Sequence, residues 1–217
     1  MVFLIAPDDR TMAFPDPHLA EANGLLAIGG DLSPRRLISA YSRGIFPWFS
    51  FRDSNLPYWY CPQQRFVIFP RDIDVSHSLR PMLNSERFEI TFNRDFDAVI
   101  SNCSNLRIKE EGAWLGEDMI KAYTELHHMK RAASVEVWEE GNLVGGLYGV
   151  TMGHVFAGES MFSLRPGASK LALVHLARRL MMAEGEFLID CQFETPHLRS
   201  MGGTFIDYDE YIRILRG

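Results

Sequence analysis

Ser134-Val135-Glu136-Val137-Trp138-Glu139-Glu140-Gly141-Asn142-Leu143-Val144-Gly145-Gly146-Leu147-Tyr148-Gly149-Val150-Thr151-Met152-Gly153-His154-Val155-Phe156-Ala157-Gly158-Glu159-Ser160-Met161-Phe162 decides the fold. Gly141-Asn142 and Gly153 divide it into three β-branched and aromatic runs, 134–139, 143–152 and 154–162, which read as an antiparallel meander. Upstream, Phe66 to Phe69 is a strand-like run. Ser76 to Asn84 reads as a short helix interrupted by Pro81. Asn93 reads as the cap of a helix with Phe96, Val99, Ile100 and Cys103 at helical spacing, and Met119, Ala122, Tyr123 and Leu126 mark another. Downstream, Ser169 opens an amphipathic helix carrying Leu171, Val174, Leu176 and Leu180 and closed by Gly185. Phe187 to Phe193 is one more strand, and a short helix starts near Asp207. The order of strand, helices, meander, helix and strand gives an α+β domain, and it suits an acetyltransferase-like (GNAT-like) mixed sheet flanked by helices.

Residues 1–65 differ in texture. They are dense in Gly, Pro and aromatic residues, with one clear helix: Ser33 as N-cap, Pro34 at the first position, Leu37, Ile38 and Tyr41 on one face and Gly44 as the stop. The expectation is a small, irregular N-terminal α/β domain over 1–65 and the acetyltransferase-like domain over 66–217.

Composition narrows the function. The net charge of −6, from 28 acidic against 22 basic residues, disfavours an indiscriminate nucleic-acid coat, although all but four of the basic residues are Arg and suit local phosphate contact. Three cysteines without a Cys-x-x-Cys fit a reduced, cytoplasmic setting. No metal site is expected. The N-terminal run lacks the basic start of a secretory signal, and no apolar stretch is long enough to span a membrane.

Period two along 187–193 puts Phe187, Ile189, Cys191 and Phe193 on one face and Leu188, Asp190 and Gln192 on the other. An acid and an amide thus share one side of an apolar strand. Such a pair can orient an amine and polarise a carbonyl, or the Asp is satisfied by backbone donors or faces solvent. Glu159 is a second carboxylate among apolar neighbours, on the face of Ala157 and Met161, and Gly158 lets a ligand or another backbone approach closely. A cross-strand salt bridge is the alternative for Glu159. The segment is no nucleophile elbow, since Gly158-x-Ser160 lacks the second Gly. Gly145-Gly146 has no Lys-Ser/Thr after it, and a bulge or close strand packing explains it better than a phosphate loop. Trp114, on a loop before a helix, either packs in the core or stacks on a base.

Six blocks in register now agree. Asn23-Gly24-Leu25-Leu26-Ala27-Ile28-Gly29-Gly30-Asp31-Leu32-Ser33-Pro34, Arg43-Gly44-Ile45-Phe46-Pro47-Trp48-Phe49, Glu110-Glu111-Gly112-Ala113-Trp114, Leu143 to Val150, Gly158 to Ser163 and Ile189-Asp190-Cys191-Gln192 closely resemble the leucyl/phenylalanyl-tRNA–protein transferase family. The resemblance implies transfer of Leu or Phe, with Met a further candidate, from charged tRNA to proteins with an N-terminal Arg or Lys, which marks them for N-end-rule degradation. It implies no cofactor. By motif position, Asp190 and Gln192 are the reaction pair and Glu159 an active-site acid near the acceptor. Trp114 meets the terminal adenosine, and Leu147 and Met161 line the side-chain pocket. The segment 76–86 offers His77 and Arg80 toward the tRNA backbone. The rival on the same fold is an acetyl-CoA-dependent N-acyltransferase, for which Arg199-Ser200-Met201-Gly202-Gly203-Thr204 is the nearest pyrophosphate cradle.

Overall fold

A computed structural model describes residues 2–48, 56–111 and 116–217, with 106–111 as helical backbone only. The N-terminal part is built from β1 (Phe3–Ile5), β2 (Leu25–Gly29), α1 (Pro34–Tyr41), β3 (Phe46–Trp48) and β4 (Tyr58–Tyr60). The strands form a sheet in the order β1-β2-β4-β3, with β1 parallel to β2 and the remaining pairs antiparallel. Regular strands therefore replace the irregular lobe expected from sequence. Three of the four are three residues long, too short to show a period-two pattern. The helix α1 starts as read: the Ser33 side chain accepts from the Arg36 amide, Pro34 stands in the first turn, and Leu37, Ala40 and Tyr41 are buried.

The larger sheet is formed by β5 (Gln64–Ile68), β6 (Phe88–Phe92), β7 (Ala132–Glu139), β8 (Asn142–Met152), β9 (Val155–Ser163), β10 (Leu188–Asp190) and β11 (Thr204–Asp207). Its order is β11-β5-β10-β9-β8-β7-β6, mixed because β10 runs parallel to β9 and antiparallel to β5. The helices are α2 (Arg80–Leu83), α3 (Phe96–Glu111), α4 (Glu117–His128), α5 (Ala168–Met181), α6 (Pro196–Arg199) and α7 (Tyr208–Arg216). One face of the sheet buries α5 through Leu171, Val174 and Ala177. The other buries α3, α4, α7 and the N-terminal strands around Tyr123, Tyr148, Phe162 and Tyr211. Gly145 lets β8 and α5 meet, because a methyl group there would overlap the Cβ of Ala168; this is the close-packing reading of the glycine pair.

Several local expectations change. Pro81 stands in the first turn of α2, so it opens that helix instead of interrupting it. Asn93 adopts φ +58° and its side chain accepts from the Ser134 amide, while Asp95 accepts from the Ala98 amide and serves as the cap of α3. The strand expected over 187–193 stops at Asp190.

Candidate active site

The end of β10 builds the centre of the site. Gln192 has φ +61°, and the Phe193 amide donates to the Cys191 carbonyl at 2.7 Å, which closes a γ-turn on Gln192. A left-handed non-glycine residue is costly unless its surroundings hold it there. Asp190 does so: its Oδ1 accepts from the Gln192 amide at 2.9 Å. The turn ends the strand alternation. Ile189 and Cys191 stay on the α5 side as read, whereas Phe193 crosses over and packs edge-on against Phe46, Trp48 and Tyr60.

Glu159 reaches the same place from β9 by a β-bulge. Gly149 pairs with Gly158 and Tyr148 with Ser160, so Glu159 is the extra residue between them. The alternation flips there. Ala157 and Phe162 share the face of Tyr123, while Met161 turns to the α5 side, so Glu159 does not share a face with Met161 as the sequence suggested. Nor is Glu159 in a cross-strand salt bridge: its Oε1 accepts from Tyr41 at 2.6 Å and from the Gln192 side-chain amide at 3.2 Å, and its Oε2 shares a hydrogen bond with the Tyr123 hydroxyl at 3.0 Å. Burial pushes its pKa up to about 7, against the opposing pull of the two tyrosine bonds.

Asp190 has different company. Tyr211 donates to Oδ2 at 3.0 Å, and Arg65 Nε lies 3.8 Å from Oδ1. Arg65 is fully buried between the rings of Phe46 and Tyr211, at 4.8 and 4.7 Å, and also donates to the Gly44 carbonyl. Asp190, at 2% exposure, is thus neither solvated nor satisfied by backbone alone. Both its oxygens are engaged within the protein.

Glu159, Asp190 and Gln192 line a cavity of about 230 Å³. Leu147, Met161, Phe156, Leu173, Leu176 and Ile189 supply its apolar walls, and Trp48, Phe193, Thr195 and His197 close it from the turn. Gly158 also lines it, where a methyl group would reach only the Asp190 carbonyl at 3.5 Å; the space over Gly158 belongs to the cavity. A larger cleft of about 740 Å³ runs past Asp31, Glu117, Asp118, Lys121 and Glu125. It is open and acidic and does not join an acid and an amide to an apolar wall, so the smaller cavity is the better candidate.

The geometry therefore gathers Glu159, Asp190, Gln192, Gly158, Leu147 and Met161 around one space. His77 and Arg80 do not line it. They are exposed on and before α2, whose Met82 packs by Gly167 at the start of α5. Trp114 lies outside the described residues. The rival's segment is used for packing: a methyl on Gly203 would strike the Phe66 ring, and Arg199 is paired with Glu194. Tyr41, Tyr123, Arg65 and Tyr211 were missed as site residues. The signal available was a tyrosine on an otherwise apolar helix face, whose buried hydroxyl needs a partner. Among the described residues, no group of three or more His, Cys, Asp or Glu could hold a metal ion, and no helix is long and apolar enough to cross a membrane.

Comparison with known proteins identifies the family. The chain is 46% identical over 213 residues to the leucyl/phenylalanyl-tRNA–protein transferase of Syntrophus aciditrophicus, covering 98% of this chain and 88% of the relative. It is 50% identical over 205 residues to the protein of the same name from Nitrosospira multiformis, covering 94% and 87%. Among solved structures, a GCN5-related N-acetyltransferase from Kribbella flavida superimposes with a TM-score of 0.43 at 11% identity, over 76% of this chain and 58% of that one. Residues 67–216 match the model of the leucyl/phenylalanyl-tRNA protein transferase family, and residues 30–63 match that of its N-terminal domain. With most of its length matched at this identity, the chain belongs to the leucyl/phenylalanyl-tRNA–protein transferase family.

Proposed function

We propose that this chain moves Leu or Phe from charged tRNA to the α-amine of proteins that begin with Arg or Lys, marking them for degradation, in the cytoplasm. One observation carries the reading: a buried acid and a buried amide, Glu159 and Gln192, are hydrogen-bonded to each other in the lining of a largely apolar cavity. Leu147 and Met161 receive the aminoacyl side chain, which sets the ester carbonyl beside the pair. The ester is already activated, so the chain's task is to hold amine and carbonyl together and to manage one proton. Positioning of this kind can supply roughly 7–11 kcal/mol of the barrier.

Roles follow from contacts. Gln192 keeps its side-chain carbonyl for the incoming amine, and its amide hydrogens reach Glu159 and the ester oxygen. Glu159 holds the acceptor's ammonium, which has an ordinary pKa of about 7.7–8.0 and so arrives largely protonated. Asp190, engaged by Arg65, Tyr211 and the Gln192 amide, is a positioning residue that fixes the γ-turn and through it the Gln192 side chain. Trp114 stacks on the terminal adenosine, and His77 and Arg80 meet the backbone of the tRNA. The test is transfer of labelled Leu from tRNA to peptides starting with Arg, Lys or Asp. Transfer to the Arg and Lys peptides is expected; transfer to the Asp peptide alone would overturn the acceptor assignment.

A further inference from the structure

Three oxygen–oxygen contacts close a ring in the site. Tyr41 lies 2.6 Å from Glu159 Oε1, Tyr123 lies 3.0 Å from Glu159 Oε2, and the two tyrosine hydroxyls lie 2.6 Å from each other. Each contact needs a proton of its own, and two phenols supply two. If both donate to an ionised Glu159, their own oxygens face each other at 2.6 Å with no proton between them. If Tyr123 donates to Tyr41 instead, Oε2 loses its donor on a buried side chain, where an unpaired polar atom is costly. The Gln192 amide does not resolve the count, because it adds its proton at Oε1. A third proton, on Oε2, does. It gives a single circuit in which Glu159 donates to Tyr123, Tyr123 to Tyr41 and Tyr41 to Oε1.

We propose that Glu159 rests as the un-ionised acid, kept so by its burial, with Tyr41 and Tyr123 as positioning residues that close its hydrogen-bond ring, and that the acceptor's ammonium displaces that proton when it binds. The step balances as R–NH₃⁺ plus Glu159–COOH giving the ion pair R–NH₃⁺···⁻OOC–Glu159 and one proton released to solvent. No bond to carbon changes. The proposal rests on reading this site as the one that receives the acceptor amine.

The surroundings agree with it. Tyr41 comes from α1, Tyr123 from α4, and Tyr148 of β8 sits edge-on to Tyr123 with ring centroids 5.8 Å apart. Asp190 faces Glu159 from β10 and opposes a second negative charge there, and its own partner Arg65 lies on its far side in β5. No cation touches Glu159 among the described residues, so an arriving ammonium is the first charge able to stabilise its carboxylate. Burial and the Glu159 carboxyl push both phenols well above their ordinary range, which keeps them as donors throughout. The ring also joins α1 of the N-terminal part to α4 and β9.

Difference infrared spectroscopy on the whole protein at about pH 6 tests this. Wild type should show the carbonyl stretch of an un-ionised buried carboxyl group, and Glu159→Gln should lack it. Glu159→Gln folds if the ring is as described, since its amide can donate to Tyr123 as the acid does. Tyr123→Phe should keep the band but move it to higher frequency, because the acid loses the acceptor for its proton; a merely structural tyrosine would not shift it. Titration with an Arg-starting peptide should erase the band and release close to one proton, counted by calorimetry in two buffers of different ionisation enthalpy. A wild-type protein without the band overturns the proposal. A band that survives saturation with peptide overturns the displacement step while leaving the acceptor reading intact. A peptide that neither binds nor accepts Leu overturns the acceptor reading and displacement with it, and the band then reports the resting acid alone.

Discussion

Arg65 stands 3.8 Å from Asp190, flat between Phe46 and Tyr211, and this buried pair ties the end of the site strand to the N-terminal sheet and to the last helix. Read from sequence, Asp190 is a buried charge whose removal costs little. Its partner reverses that expectation. Burial draws the guanidinium's pKa down, Asp190 together with Tyr211, Cys61 and Tyr208 more than offsets this, and the net shift is upward. Arg65 Nε and Nη1 already make no hydrogen bond, so Asp190→Asn leaves a buried guanidinium without the carboxylate that balances its charge. Breaking one side of such a pair typically costs about 3–5 kcal/mol. We expect Asp190→Asn to lower stability by an amount toward the lower end of that range, measured by urea unfolding, with Arg65→Met in the same chain recovering part of it. An Asp190→Asn protein as stable as wild type would show that the ion pair is not what holds this corner.

Gln192 separates chemistry from folding. Its side chain donates to Glu159, while its unusual backbone is held by Asp190 and not by the side chain itself. Gln192→Ala should therefore leave the melting temperature within a few degrees of wild type. Single-turnover transfer to an Arg-starting peptide should fall about 10²–10³-fold, the usual loss for one preorganised donor. Binding of uncharged tRNA should be unchanged. Wild-type transfer by Gln192→Ala would remove it from the reaction.

Glu159 gives a pH dependence of stability with a definite sign. Its carboxyl is raised from 4.5 to about 7 on folding, so between these values the folded chain holds a proton that the unfolded chain has lost. Stability contributed by this group is full below about pH 4.5, falls as the pH rises, and is gone above about pH 7. The fall amounts to roughly 3–4 kcal/mol at most, from 1.36 kcal/mol per unit. Glu159→Gln should flatten this limb of the stability curve while leaving the acid limb below it. Parallel curves for the two proteins would place the Glu159 carboxyl in its ordinary range.

Much of this site is legible in the amino-acid sequence. The meander, α1, α5 and α7 each carried a cap, a period or a turn residue that local physics reads directly, and Asp190, Gln192 and Glu159 stood out as polar residues in apolar strands. What was illegible came from contacts between distant segments. Period two cannot foresee the bulge that lifts Glu159 off the face of Met161, or the γ-turn that sends Phe193 to the other side, because both depend on the neighbouring strand and on Asp190. Arg65 opens an apolar run and looks like a surface residue at a strand start; only Phe46, 19 positions earlier, and Tyr211 in the last helix show it to be buried.

The last prediction concerns the choice of amino acid. The cavity wall is made by Leu147 from β8 and Met161 from β9, which pair directly across the sheet, with Leu173 and Leu176 of α5 opposite. Leu147 is 3% exposed, so it is fixed in place and not a flexible lid. On the proposed binding mode an unbranched Cβ passes this wall, whereas Val and Ile bring a second methyl group against it. Apolar pockets discriminate such differences by only about 1–3 kcal/mol, so Ile-tRNA should react 10- to 200-fold more slowly than Leu-tRNA and not be excluded. Leu147→Ala should widen the wall and leave a cavity against a Leu side chain. The expected result is a fall in kcat/KM for Leu-tRNA with little change for Phe-tRNA, whose ring fills the added space, and a smaller penalty for Ile-tRNA. Competition between charged tRNAs in one reaction measures all three ratios together. Equal rates for Ile and Leu in the wild-type protein would mean that Cβ shape is not read at this wall, and an unchanged Leu-to-Phe ratio in Leu147→Ala would move the side-chain pocket elsewhere.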